Sequence, residues 1–259
     1  MQEAVESFNV TLSNYCLVVM KRKSFFLAAL GIGFFFLGIM LGLALSAGIV
    51  WGEIETRLYT SFTATSGLRT LECPLMLAPA ESGFVTATFD NPTDELVKPV
   101  IRLEVSHTGG ARQTSQTLSL APGATQTVHW TVGADDTIFS RLILVSVFQS
   151  QYRQLPSRSG FCGILVLGLF GLSGSQTFTL IFAVSILGLM VGGTLWLLRM
   201  RPLSGPALSV TNAGGVLAAT VLAGMLSSLP RWWGLTLFCL ALTVLMIGVI
   251  ITEFILFPR

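Results

Sequence analysis

The chain has 259 residues, 52% of them hydrophobic and only 11% charged, with a formal net charge of +2. Soluble domains usually carry about 25% charged residues, so a single water-soluble core is excluded, and without a basic stripe nucleic acid is excluded as a partner. Eight Lys/Arg and ten Asp/Glu fall within residues 52–160, and the rest is apolar sequence broken by a few basic residues, the pattern of a polar module joined to membrane spans.

Residues 1–23 are expected to be a cytoplasmic N-terminal segment. Lys21, Arg22 and Lys23 then precede an apolar run over 24–51, the first predicted transmembrane helix. A signal peptide is the competing reading, with Ala44-Leu45-Ser46 as a passable cleavage site. Signal h-regions are usually about 7–15 residues, and this run is far longer, which favours an uncleaved anchor. The basic triplet should stay in the cytoplasm and send the chain from Gly52 onward outside.

Residues 52–170 are predicted to form an extracytoplasmic β domain. Phe84 to Asp90 is rich in β-branched and aromatic residues and ends at the turn Asn91-Pro92-Thr93-Asp94. Val100 to Ser106 alternates, with Ile101, Leu103 and Val105 on one face and Arg102 and Glu104 on the other. Pro122-Gly123 reads as a turn, and Val128, Trp130 and Val132 alternate with polar residues. Ile138 to Phe148 reads as one longer apolar strand, and Ile164 to Leu167 as a closing strand. Short strands at this spacing suggest a two-sheet sandwich.

The run Leu118-Ser119-Leu120-Ala121-Pro122-Gly123-Ala124-Thr125, followed by Val128-His129-Trp130-Thr131-Val132, resembles the turn and following strand of bacterial Ig-like domains of the cell-adhesion-related type. Phe89-Asp90-Asn91-Pro92-Thr93 is similar to their early strand and turn. The resemblance covers residues 82–170 and implies a sandwich used for contact or spacing; fold alone does not dictate function. In such a sandwich the first and last strands can be neighbours, so a Cys73–Cys162 disulfide is expected in an oxidising compartment, against the alternative of two buried free thiols.

The apolar stretch from Phe161 to Leu198 would be about 57 Å long as one helix, too long for a single span. It breaks at Gly171-Leu172-Ser173-Gly174-Ser175, which assigns residues 161–170 to the outer domain and 176–198 to the second span. The third span is expected over 208–229 and the fourth over 234–257, joined by a tight outer turn at Pro230-Arg231-Trp232-Trp233. Basic residues near the other span ends then lie inside. The result is a multi-pass α-helical protein of the cytoplasmic (inner) membrane, with four spans, an inserted all-β Ig-like domain and both termini cytoplasmic.

Gly38/Gly42 and Gly188/Gly192 form two GxxxG pairs, and Gly215, Ala219 and Ala223 repeat every four residues. Small residues let helix backbones approach closely in lipid, so these faces are expected to pack helix on helix, within this chain or on a partner. Glu253 is the one ionisable residue well inside a predicted span, where such groups are functional candidates. It has no carboxylate, His or Lys partner in another span, which favours an interfacial or packing role. His107, His129 and the acidic residues Asp90, Asp94, Glu95, Asp135 and Asp136 match no metal-ligand spacing.

No nucleophile–base pair or carboxylate pair is present, and no cofactor is expected. The sequence points to a non-catalytic accessory or scaffolding subunit, whose partners are the bilayer and other membrane subunits. A small transporter of an apolar substrate is the alternative.

Overall fold

The computed structural model describes residues 2–60, 64–199 and 206–252, with side chains from Leu27 onward except at Ala28, Arg199, Pro206 and Ala207. Among them, four helices are long and apolar enough to cross a membrane: Ala29–Tyr59, Gly174–Leu198, Leu208–Ser228 and Trp233–Ile250. The first belongs to a longer helix α1, Gln2–Tyr59. It is followed by nine strands and by α2 (Gly174–Arg199), α3 (Pro206–Ser228) and α4 (Trp233–Ile250). Glu253 lies outside the described residues.

The chain divides into two compact units. One gathers Met1–Ala44, Phe182–Met225 and Phe238–Arg259; the other gathers Leu45–Ile181 and Leu226–Leu237. The second unit holds all the strands: β1 (Ser66–Gly67), β2 (Leu71–Glu72), β3 (Met76–Leu77), β4 (Gly83–Asp90), β5 (Val100–His107), β6 (Gly110–Thr117), β7 (Thr125–Val132), β8 (Leu142–Gln149) and β9 (Arg158–Val166). The larger sheet runs β1-β9-β8-β5-β6, with β3 also on β9, and the smaller runs β2-β4-β7. All pairings are antiparallel except those of β1 and β3 with β9.

Alternation explains how the two sheets share a core. Val85, Ala87 and Phe89 of β4 point inward, as do Ile101, Leu103 and Val105 of β5 and Val145 and Val147 of β8. A fully buried side chain such as Phe89 contributes about 1.5–3 kcal/mol. Cys162 of β9 sits in that core and forms a disulfide with Cys73, the pairing expected from the sequence.

Several boundaries differ from the sequence reading. The region read as one strand from Ile138 is split: Ile138 and Leu142 bridge a turn, and β8 starts only at Leu142. The closing strand begins earlier, at Arg158. Strand β6 has no apolar alternation because its side chains are almost all exposed, so periodicity had nothing to detect. Helix α1 does not stop near Trp51. No proline interrupts residues 52–59, and Glu53, Glu55 and Arg57 are good helix formers.

The extra turns of α1 pack on the outer face of the larger sheet. Gly52 lies against Gly163 of β9 so closely that a Cβ on Gly163 would overlap the Gly52 backbone. One turn earlier, Gly48 faces Leu165. Beyond the last turn, the Thr60 and Ser146 hydroxyls are 2.9 Å apart.

The other unit is a helix bundle held by small residues. A Cβ on Gly38 of α1 would lie 2.7 Å from the backbone N of Leu189 in α2. One on Gly188 would lie 2.8 Å from the Phe34 carbonyl oxygen, and one on Gly192 would overlap the Phe35 backbone. Gly42 instead accommodates α3, where its Cβ would sit 2.6 Å from Cγ1 of Val221. Ser185 Oγ donates to the Gly38 carbonyl at 2.7 Å. The interhelical bonds Trp196 Nε1 to Thr211 Oγ1 and Thr243 Oγ1 to Thr220 Oγ1 are both 3.2 Å.

Candidate functional site

A buried ion pair lies in the sheet-bearing unit, around Arg231. The α3–α4 turn carries this residue at φ +57°, and its aliphatic stem and guanidinium are largely covered. Nη1 donates to Glu53 Oε1 at 2.5 Å. Nη2 donates to the carbonyl oxygens of Cys73 at 3.2 Å and Pro74 at 3.1 Å. Glu53, on α1, is only 3% exposed. Burial lowers the Arg231 pKa and the Glu53 carboxylate opposes that shift; a guanidinium stays charged regardless. One side chain therefore ties together α1, the segment before β3 and the α3–α4 turn, and the disulfide fixes Cys73 to β9.

Two further contacts extend this cluster. Arg57, one turn above Glu53, places its guanidinium 4.8 Å from the ring centroid of Trp233 and 5.7 Å from that of Phe161, both within cation–π range. The start of α2 is held by Glu81, whose Oε2 accepts from the Gly174 N–H at 2.6 Å and from the Ala78 N–H at 2.8 Å. A carboxylate there meets the positive end of the helix dipole. Ser173 and Gln176 complete a capping box: Ser173 Oγ accepts from the Gln176 N–H at 3.3 Å, and Gln176 Oε1 from the Ser173 N–H at 3.1 Å.

Sequence reasoning missed this cluster. It read Arg231 only as a basic residue in an outer turn and did not single out Glu53. The capping box was legible, since Ser173 stands three residues before Gln176, but the stretch registered only as a break.

The structure separates the small-residue candidates. Gly38, Gly42, Gly188 and Gly192 are taken up by contacts within the bundle. Gly215, Ala219 and Ala223 remain exposed on α3, and a Cβ on Gly215 would meet nothing within 4 Å. Three of the five acidic residues considered for metal binding are engaged with arginines: Asp90 with Arg158 at 2.5 Å, Glu95 with Arg153, and Asp136 with Arg112 at 2.9 Å. His107 Nδ1 is 3.9 Å from Asp136 Oδ1. Among the described residues no group of three or more His, Cys, Asp or Glu could hold a metal ion.

No family model matches the chain, and no curated protein matches it. Among solved structures, 42% of the chain is similar to 15% of a Paenibacillus sp. cycloisomaltooligosaccharide glucanotransferase, at 22% identity and a TM-score of 0.33. A further likeness, over 38% of this chain and 15% of the other, is to a β-glucosidase from Listeria innocua, at 17% identity and a TM-score of 0.29. A β-glucosidase from Erythrobacter marinus matches 36% of the chain over 14% of its own, at 17% identity and a TM-score of 0.26. The chain thus spans about one seventh of these proteins, and likeness at this level assigns neither fold family nor activity.

Proposed function

We propose that this chain is a non-catalytic accessory or scaffolding subunit of a membrane protein complex. It lies in the cytoplasmic membrane with both termini inside, and presents residues 52–170 outside as an Ig-like sandwich. The observation that carries this reading is the use made of the charges around Arg231. Glu53, Glu81 and Arg231 are each engaged in fixing one element to another, and an arrangement that rigidifies rather than reacts suits a platform. The disulfide supports an oxidising location for the β domain.

Copurification from native membranes tests the proposal. Partner chains should appear at fixed stoichiometry. Gly215→Ile, on the open α3 face, should lower their recovery while leaving the unfolding midpoint of the isolated chain unchanged. Recovery of a monodisperse single chain that binds a small apolar ligand would refute it.

A further inference from the structure

Two turns of the sheet-bearing unit hold bulky residues in the left-handed region, and both throw an aromatic ring into the open. In the first, the Arg141 N–H donates to the Ile138 carbonyl at 3.1 Å across Phe139 (φ +52°) and Ser140 (φ +55°), and Ile138 and Leu142 exchange backbone hydrogen bonds of 2.7 and 3.1 Å around it. In the second, the Leu172 N–H donates to the Leu169 carbonyl at 2.9 Å across Phe170 (φ +50°) and Gly171 (φ +72°). Positive φ at both central residues defines a type I′ turn, which favours Asn-Gly. Phenylalanine in this region is an outlier. Phe139 is 74% exposed and Phe170 is 93% exposed.

The two turns lie at the same end of the unit. The Val166 N–H donates to the Arg141 carbonyl at 2.7 Å, and Leu142 pairs with Leu165, so the start of β8 and the end of β9 are side by side. That is also the end from which the chain enters α2, four residues after Phe170. An extended chain covers at most about 3.6 Å per residue, so the Phe170 ring stays close to the beginning of that helix. Residues 159–198 carry no charge at all. Leu167 is 40% exposed beside the turn. Arg141, next to Ser140, is exposed and forms no ion pair among the described residues.

We propose that Phe139 and Phe170 form a two-pronged wedge that enters the interfacial zone of the bilayer crossed by α2, with Arg141 meeting lipid phosphate. The occupant follows from continuity, because the Phe170 turn runs directly into an apolar helix of spanning length. Exposed phenylalanine rings bury favourably at the boundary between headgroups and acyl chains, and an exposed arginine at the same level gains an anionic partner. The wedge rests on reading α2 as a membrane span and adds a second attachment of the β unit to lipid, through side chains outside any span.

The test uses the full chain with Cys16→Ser and Cys239→Ser and the disulfide intact. Single cysteines replace Phe139, Phe170, Thr127 or Leu187 and are labelled with an environment-sensitive fluorophore. The proteins are reconstituted in phosphatidylcholine–phosphatidylglycerol nanodiscs containing a lipid with a nitroxide high on its acyl chain. Labels at 139 and 170 should be quenched by the nitroxide lipid at least about twofold more than at Thr127, and shielded from aqueous iodide. Iodide quenching equal to that at Thr127 overturns the proposal. So does shielding from both quenchers, which would mean that a protein surface covers the turns. Leu187 on α2 reports the span itself, in parallel nanodiscs whose nitroxide sits deep on the acyl chain: if it is quenched there while 139 and 170 are not quenched by either nitroxide lipid, only the wedge fails. Phe139→Asn/Phe170→Asn, which places Asn-Gly in the second turn, should unfold at the wild-type midpoint, so that loss of lipid contact is not loss of fold.

Discussion

Replacing Arg231 with methionine keeps much of the side-chain volume and removes the charge. Glu53, 3% exposed, would then be left as a buried carboxylate without its guanidinium partner. Breaking a buried ion pair from one side costs about 3–5 kcal/mol. Two carbonyl oxygens, of Cys73 and Pro74, would also lose a charged donor. The double variant Glu53→Leu/Arg231→Met removes both charges. Apolar replacement of a whole pair is often nearly neutral, so what remains is the loss at the carbonyls, about 1–3 kcal/mol each at most. The double variant should therefore be more stable than Arg231→Met alone, the signature of strong coupling in a mutant cycle. Reversible unfolding by SDS titration in mixed micelles, followed by circular dichroism under oxidising conditions, measures all four corners of the cycle. If Arg231→Met falls within about 0.5 kcal/mol of wild type, or if the two single losses simply add, the pair does not hold these elements together.

Other expectations follow from the same geometry. The Cys73–Cys162 bridge closes a separation of 89 residues, so its reduction should lower stability by about 4–5 kcal/mol on chain-entropy grounds; non-reducing peptide mapping should recover the two peptides linked, and free thiols at both positions would rule the bridge out. Gly38→Ile and Gly188→Ile should destabilise the isolated chain by about 1–3 kcal/mol or more through overpacking, whereas equal unfolding midpoints would mean that the α1 and α2 backbones do not approach as described. Ser173→Ala should cost about 1 kcal/mol by uncapping α2, read in the same titration. An impermeant thiol reagent on intact cells should label a cysteine at Thr114 and not one at Arg259; labelling at Arg259 would require an odd number of spans.

The four long apolar helices were legible because hydropathy is a property of composition along a short window. A helix in lipid must satisfy its own backbone hydrogen bonds, so a long apolar run needs no knowledge of its neighbours to be read. The strands β4, β5 and β7 were legible for a similar reason, since a sheet with one buried face writes a period of two into its sequence. Strand β6 escaped because an exposed edge has no such constraint: Gly110 to Thr117 pairs fully with β5, yet its side chains are almost all in the open.

The end of α1 and the role of Arg231 depended on tertiary structure. Whether a helix continues past Trp51 is a matter of weak local propensity, overruled by what its next turns can pack on, here the close approach of Gly52 to Gly163. The GxxxG sequences announced close packing without saying against what, and only the fold distinguishes Gly38 and Gly188, which meet each other, from Gly215, whose Cβ would meet nothing within 4 Å among the described residues. Glu53 and Arg231 are separated by 178 positions, and no local pattern links two such residues. A buried charge is tolerated where a partner of opposite sign reaches it, and that condition is met by the path of the chain through space rather than by the identity of either residue.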